Sequence, residues 1–243
     1  MNSLLPRGKV DGVTRLLVSV RSPEEASLAL EAGVHLIDVK EPRHGSLGAA
    51  SPRVWREVAD CVAGLAPLSL ALGELREFHP PQSASVPPQY GYAKLGLAGC
   101  AQHAWQDRLL EAWQSLPPAV QPVAVIYADW QRAAAPPPQD VLAVAAASGC
   151  RAILLDTAEK DGSTLLAHCP LEELARLVET ARGLAAMVVL GGSLSAVEIA
   201  AVLPLAPDYI AVRGAACAGG RSGRLDPQRI QELLARLPQP ARR

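Results

Sequence analysis

Short apolar runs recur roughly every 30 residues along the chain, and most are followed by a stretch carrying helix-start signals. The runs are Arg15–Val20, His35–Lys40, Leu68–Gly73, Tyr92–Ala98, Val123–Tyr127, Arg151–Asp156, Ala186–Leu190 and Tyr209–Arg213. They are continuous rather than alternating, the pattern of parallel strands covered on both faces. Between and after them the pattern predicts helices over Pro23–Ala32, Ser51–Ala63, Trp105–Ser115, Gln139–Ala147, Leu171–Arg182, Ser195–Leu203 and Pro227–Leu237. Ser22 and Ser51 each stand directly before a proline, a capping hydroxyl followed by a residue whose φ already suits the first helical position. Glu24 and Glu25 add negative charge where the helix dipole is positive.

Strands alternating with helices through 243 residues predict an α/β protein, a single closed (β/α)8 or TIM barrel rather than an open sheet. No G-x-G-x-x-G follows the first strand, which counts against a dinucleotide-binding fold. The expected organisation is one domain over 1–243, with 1–13 as an N-terminal extension and 238–243 as a C-terminal tail. The third β/α unit is irregular. Glu74–Gln89 contains Pro80, Pro81, Pro87 and Pro88 and cannot hold a regular helix, so it reads as a lid or a surface connection.

Composition narrows the partners. A formal net charge of −1 offers no concentrated basic face for nucleic acid or for an anionic membrane surface. Met1–Gly12 has no apolar run of a secretory leader, and no stretch reaches the length of a membrane span. The five cysteines, Cys61, Cys100, Cys150, Cys169 and Cys217, are scattered and never form C-x-x-C, as in a reduced, cytoplasmic protein. No metal-ligand spacing and no cofactor motif is present. The expected partner is a small phosphorylated molecule, with a homo-oligomer left open.

The basic residues change the picture most. Of 23, only Lys9, Lys40, Lys94 and Lys160 are lysines, the type that can shed a proton and attack a carbonyl. Barrel catalytic groups sit at the C-terminal ends of strands, where Lys40 and Lys160 fall; Lys94 lies within the fourth. Asp38 precedes Lys40 by two residues, so both project to the same, inward side. Asp156 and Asp161 bracket Lys160. Buried charges in apolar strands are costly unless paired, which favours a catalytic over a purely structural reading of these lysines.

Glycine-rich turns follow the last two strands, Gly191-Gly192-Ser193 and Arg213-Gly214-Ala215-Ala216, where such barrels bind phosphate. Gly192, Gly214 and Ala215 would offer backbone donors, Ser193 a hydroxyl and Arg213 a charged donor. The stretch Gly219–Arg224 reads equally as a second anion contact or a mobile linker. Asp129, just past the fifth strand, is a further substrate-contact candidate. His44 lies near the mouth as a weak proton-shuttle candidate, and His35 at the opposite, structural face.

The strings LLVSVRSPEEASLALEAGVHLIDVKEPRHGSLGA, YAKLGLAG, YAD, LLDTAEKDGSTL and VRGAACAGGRSGR resemble the (5-formylfuran-3-yl)methyl phosphate synthases of methanofuran biosynthesis, from about Arg15 to Leu234. The resemblance implies a lyase of class I aldolase type on a TIM barrel. Such an enzyme joins two molecules of glyceraldehyde 3-phosphate with loss of phosphate and water. It further implies Lys40 as the Schiff-base lysine and Lys94 as a second essential lysine, with Asp38, Asp156 and Lys160 completing the polar set. The third unit departs from the family pattern, and an acidic residue survives there as Glu74. Another class I aldolase or a phosphosugar isomerase would share the phosphate loops. A non-catalytic phosphoester-binding barrel would share them too, without turnover.

Overall fold

The computed structural model describes residues 13–238. Lys9, the expected extension up to residue 12 and the tail from 239 onward lie outside the described residues. Eight parallel strands close into a barrel in sequence order: β1 (Arg15–Val20), β2 (Leu36–Val39), β3 (Leu68–Glu74), β4 (Tyr92–Gly96), β5 (Gln121–Tyr127), β6 (Ala152–Asp156), β7 (Met187–Leu190) and β8 (Tyr209–Val212). Strand β8 returns to pair with β1, Arg15 opposite Tyr209 through Val18 opposite Val212. The helices are α1 (Pro23–Glu31), α2 (Pro52–Val62), α3 (Trp105–Gln114), α4 (Pro138–Ser148), α5 (Leu165–His168), α6 (Leu171–Gly183), α7 (Ala196–Val202) and α8 (Pro227–Arg236). The (β/α)8 class is as predicted. Among the described residues, no helix is long and apolar enough to cross a membrane.

Local signals account for the helix starts. Ser22 Oγ accepts from Glu25 N and Ser51 Oγ from Val54 N, both at 3.3 Å. Ser195 and Glu198 form a reciprocal capping box at α7, and Asp226 caps α8. Continuous apolar strands then build two cores, because side chains alternate between the faces of a strand. On β1, Leu16, Val18 and Val20 pack outward into the layer shared with the helices. Leu17 points inward with Leu36, Tyr92, Val123, Val125, Leu154, Val189 and Tyr209, filling the barrel interior.

The third unit has no α-helix between β3 and β4, only a 3-10 segment, Pro80–Ser85, as four prolines in that connection allow. Two features were not predicted. Helix α5 is four residues long, and β9 (Cys217–Ala218) pairs antiparallel with β10 (Arg224–Leu225) in a small hairpin. Neither is long enough to carry a hydrophobic period. The hairpin holds the Gly219–Arg224 stretch in place of a linker.

Where β3 leaves β4 the register shifts between Ala71 and Glu74. There the Glu74 carboxylate turns back and accepts from Tyr127 Oη at 2.7 Å and from Ala98 N at 2.9 Å. Burial pushes the Glu74 carboxyl up, against the lowering effect of those two hydrogen bonds. A Cβ on Gly96 would lie 2.1 Å from Glu74 Oε2 and 2.3 Å from Tyr127 Oη, so the pair exists only beside a glycine. Gly96→Ala is expected to destabilise the protein by about 1–3 kcal/mol, the usual cost of overpacking a core. Thermal or denaturant unfolding checks this, and an unchanged midpoint would contradict the packing described.

Candidate active site

The site is built in layers upward from the barrel interior. Strand register places Ser19 of β1 beside Asp38 of β2, and Asp38 beside Ser69 of β3. Ser19 Oγ donates to Asp38 Oδ2 at 3.0 Å, and Ser69 Oγ to Asp38 Oδ1 at 2.7 Å. Lys94, from β4, reaches across to pair with Asp38 Oδ1. Asp38 is 1% exposed and Lys94 6%. Burial pushes the Asp38 carboxyl up, but Lys94, Lys40 and the Ser69 hydroxyl outweigh it and leave it below the ordinary carboxylate range.

A second pair faces the first from β6. Lys160 Nζ donates to Asp156 Oδ1 at 2.8 Å and to Thr157 Oγ1 at 2.9 Å. The Thr157 amide donates to the same carboxylate oxygen at 2.8 Å. Burial again raises the Asp156 carboxyl, and Lys160 and Lys40 override it to leave it lowered.

Lys40 stands between the pairs, just past the end of β2 at the next inward position after Asp38. It is 8% exposed, yet among the described residues its Nζ makes no hydrogen bond or ion pair, unlike Lys94 and Lys160. Burial lowers its pKa from 10.5 to about 8, with Lys160 and Lys94 acting in the same sense and Asp156 and Asp38 opposing. An amine so placed is neutral often enough near physiological pH to act as a nucleophile.

Above these groups a cavity of about 420 Å3 opens at the C-terminal mouth. Its walls include Lys40, Asp156, Lys160, Gly192, Ser193, Gly214, Ala215 and Arg221. Gly192 has φ +86° and Ser193 φ +57°, the left-handed region that a serine rarely occupies. Such strain concentrates where a backbone is shaped for a ligand. The structure thus gathers Lys40, Lys94, Asp38, Asp156 and Lys160 in one cluster, with Gly192, Ser193, Gly214 and Ala215 facing it.

Two expected substrate contacts have protein partners in the structure. Arg213 also lines the cavity, but its guanidinium is committed elsewhere. Nη1 and Nη2 pair with Glu25 of α1 at 2.9 and 3.2 Å, and the other donors meet the carbonyls of Ser19, Arg221 and Gly223. With all five N–H groups used, it ties the mouth of β8 to α1. Asp129 does not line the cavity: its two carboxylate oxygens accept from the amides of Ala158 and Glu159, each at 2.8 Å. It holds the loop that carries Lys160. His44 is exposed, near the Ala49 carbonyl, while His35 Nδ1 accepts from Leu16 N at the barrel floor.

Ser19, Ser69 and Thr157 were missed by the sequence reading. Their one signal is a hydroxyl residue in or at the end of an otherwise apolar strand.

The sequence model of the family described as 4-HFC-P synthase matches residues 16–234. A (5-formylfuran-3-yl)methyl phosphate synthase from Methanothermobacter thermautotrophicus is 33% identical over 232 residues, covering 90% of this chain and 96% of that relative. A relative of the same name from Methanopyrus kandleri is 36% identical over 222 residues, covering 86% and 92%. Among solved structures, the phosphoribosyl anthranilate isomerase from Thermus thermophilus aligns with a TM-score of 0.60 at 14% identity, over 92% of this chain and 98% of that one. That last likeness is one of fold alone.

The unpaired amine has a thermodynamic signature. Below about pH 8 Lys40 is charged in both the folded and the unfolded chain, so its burial cost is fully felt. Between about 8 and 10.5 the folded chain releases the proton and the unfolded chain keeps it, so stability recovers as pH rises. Lys40→Met is therefore expected to stabilise the protein at pH 7, by about 3 kcal/mol if the whole shift is realised. The advantage should shrink as the pH is raised from 8 to 10.5. Urea unfolding of both proteins across that range measures it, and a difference independent of pH would contradict the burial of a charged Lys40.

Proposed function

The chain belongs to the 4-HFC-P synthase family of enzymes, and from that membership we propose that it condenses two molecules of glyceraldehyde 3-phosphate into (5-formylfuran-3-yl)methyl phosphate through a Schiff base on Lys40, for a methanofuran-type cofactor. The observation that carries this reading is the buried amine of Lys40, left without a hydrogen-bond partner among the described residues, between two ion pairs and facing a cavity lined by glycine turns.

Neutral Lys40 adds to a triose-phosphate carbonyl, and loss of water gives an iminium. The positive nitrogen draws electrons from the neighbouring carbon and acidifies it. Asp156, on the wall of the same cavity, takes that proton, with Lys160 holding its charge; Lys94, seated on Asp38, is the alternative carrier. The resulting enamine attacks the aldehyde carbon of the second triose phosphate and forms the new carbon–carbon bond. Water then releases Lys40. Attack of a hydroxyl on a carbonyl closes the ring, and elimination of phosphate and water aromatises it. The atoms of two triose phosphates equal those of the furan phosphate plus one phosphate and two waters, so the sequence needs no oxidant or reductant. The glycine turns after β7 and β8 would hold a substrate phosphate with backbone donors.

Borohydride added in the presence of glyceraldehyde 3-phosphate is expected to fix substrate mass on Lys40, located by peptide mass spectrometry. Absence of that adduct together with turnover by Lys40→Arg would overturn the Schiff-base assignment. Because the attacking amine must be neutral, kcat/KM is expected to rise with pH through an apparent pKa near 8. Asp156→Asn is expected to lower kcat by about 10²–10⁴-fold, the range for losing a general base, while trapping on Lys40 persists.

A further inference from the structure

Arg221 is the cation of the mouth that the reaction above leaves unused. It sits in the turn between β9 and β10 and lines the cavity with Lys40, Lys160 and Ser193. Its backbone nitrogen lies 3.5 Å from the position a Cβ on Gly214 would occupy, so the turn is seated against the loop after β8. The guanidinium is half-buried, yet its one hydrogen bond to the described residues runs from Nη2 to the carbonyl of Gly45, at 2.7 Å. It forms no salt bridge with a carboxylate among the described residues. The contrast with Arg213, whose five donors are all engaged, is complete.

A latch for the hairpin is the simplest structural role for such a residue, and the contacts around it make that role unnecessary. Arg213 Nε donates to the Arg221 carbonyl at 2.8 Å, Arg213 Nη2 to the Gly223 carbonyl at 3.3 Å, and Arg21 Nη1 to the Ser222 carbonyl at 3.1 Å. All three grip the backbone, so the turn keeps its place whatever the Arg221 side chain does. The charge balance points the same way. The cavity wall carries Lys40, Lys160, Arg213 and Arg221 against Asp156; with Arg213 neutralised by Glu25, the amines and Arg221 leave an excess of positive charge. A phosphate monoester supplies the missing negative charge, and the planar fork of arginine matches its oxygens.

We propose that Arg221 is a substrate-binding residue that leaves the Gly45 carbonyl to clamp the phosphate of a triose phosphate seated on the Gly192–Ser193 and Gly214–Ala215 turns, and so selects phosphorylated over unphosphorylated aldehydes. This rests on the reading that the substrate is a phosphate ester. A carbonyl is a neutral acceptor, and exchanging it for a doubly charged one strengthens the bond. The clamp lies over Lys40 because Gly45 belongs to the loop after β2, whose next residue, Ser46, is bonded to the Thr157 carbonyl beyond β6 at 2.7 Å.

The test measures binding of inorganic phosphate by calorimetry, and KM for glyceraldehyde 3-phosphate, in the full-length protein. Arg221→Met is expected to weaken phosphate binding and raise KM by about 10–100-fold, the worth of one charged hydrogen bond, with kcat little changed. Arg221→Gln keeps a donor for the Gly45 carbonyl but no charge and should behave as Arg221→Met does, whereas Arg221→Lys should recover part of the affinity. Borohydride trapping of unphosphorylated glyceraldehyde should be the same in wild type and Arg221→Met. If Arg221→Gln binds phosphate as wild type does, or Arg221→Met is unaffected, the residue only latches the hairpin and the inference falls. Phosphate binding needs no turnover, so a protein that makes no furan product but loses phosphate affinity in Arg221→Met would sink the proposed reaction and leave this inference standing.

Discussion

Keeping ionised side chains inside a closed ring of apolar strands is the constraint on which this structure turns. A buried charge costs several kcal/mol unless it is paired and its remaining hydrogen-bonding capacity is met. The barrel solves this twice. Asp38 takes Lys94 and two serine hydroxyls, and Asp156 takes Lys160 and the Thr157 amide. Each carboxylate is thereby stabilised in its charged form. Lys40 lies between them and is given neither partner, so burial outweighs the pull of Asp156 and Asp38 and weakens its hold on the proton. One fold thus holds three amines in two states, two committed to ion pairs and one without such a pair among the described residues.

The rim of the barrel is organised by side chains whose polar atoms are spent on one another and on the backbone. Asp129 accepts from two successive amides of the loop after β6 and so fixes where Lys160 begins its return toward Asp156. Glu25 and Arg213 join α1 to the end of β8, and Arg213 then grips the hairpin backbone at two carbonyls. Glu74 and Tyr127 meet beneath the mouth beside Gly96, where β3 shifts register against β4. That shift falls in the unit whose prolines prevent a covering helix, so a buried polar pair braces a section of the barrel that lacks the usual outer support.

Much of this was legible in the residues. Continuous apolar runs, Ser-Pro helix starts and the spacing of the units determined a single eight-stranded barrel, because each is a local property repeated along the chain. Scarcity of lysine drew attention to Lys40, Lys94 and Lys160, and the two-residue period put Asp38 and Lys40 on one face. What was not legible is equally specific. Arg213 and Arg221 both follow the last strand in a glycine-rich stretch, and nothing near them in sequence tells which is paired with a carboxylate. The difference is Glu25, 188 residues from Arg213 along the chain and in contact with it only once β8 closes against β1. Nothing beside Asp129 in sequence announces the two amides that the neighbouring loop supplies to it. Ser19 and Ser69 drew no notice because a hydroxyl in a strand has meaning only when register sets it beside Asp38. The sequence by itself therefore determined the elements, their order and the chemical types gathered at one end. Closure of the barrel decided which donor meets which acceptor, since hydrogen bonds are satisfied across strands and loops that are distant in the chain.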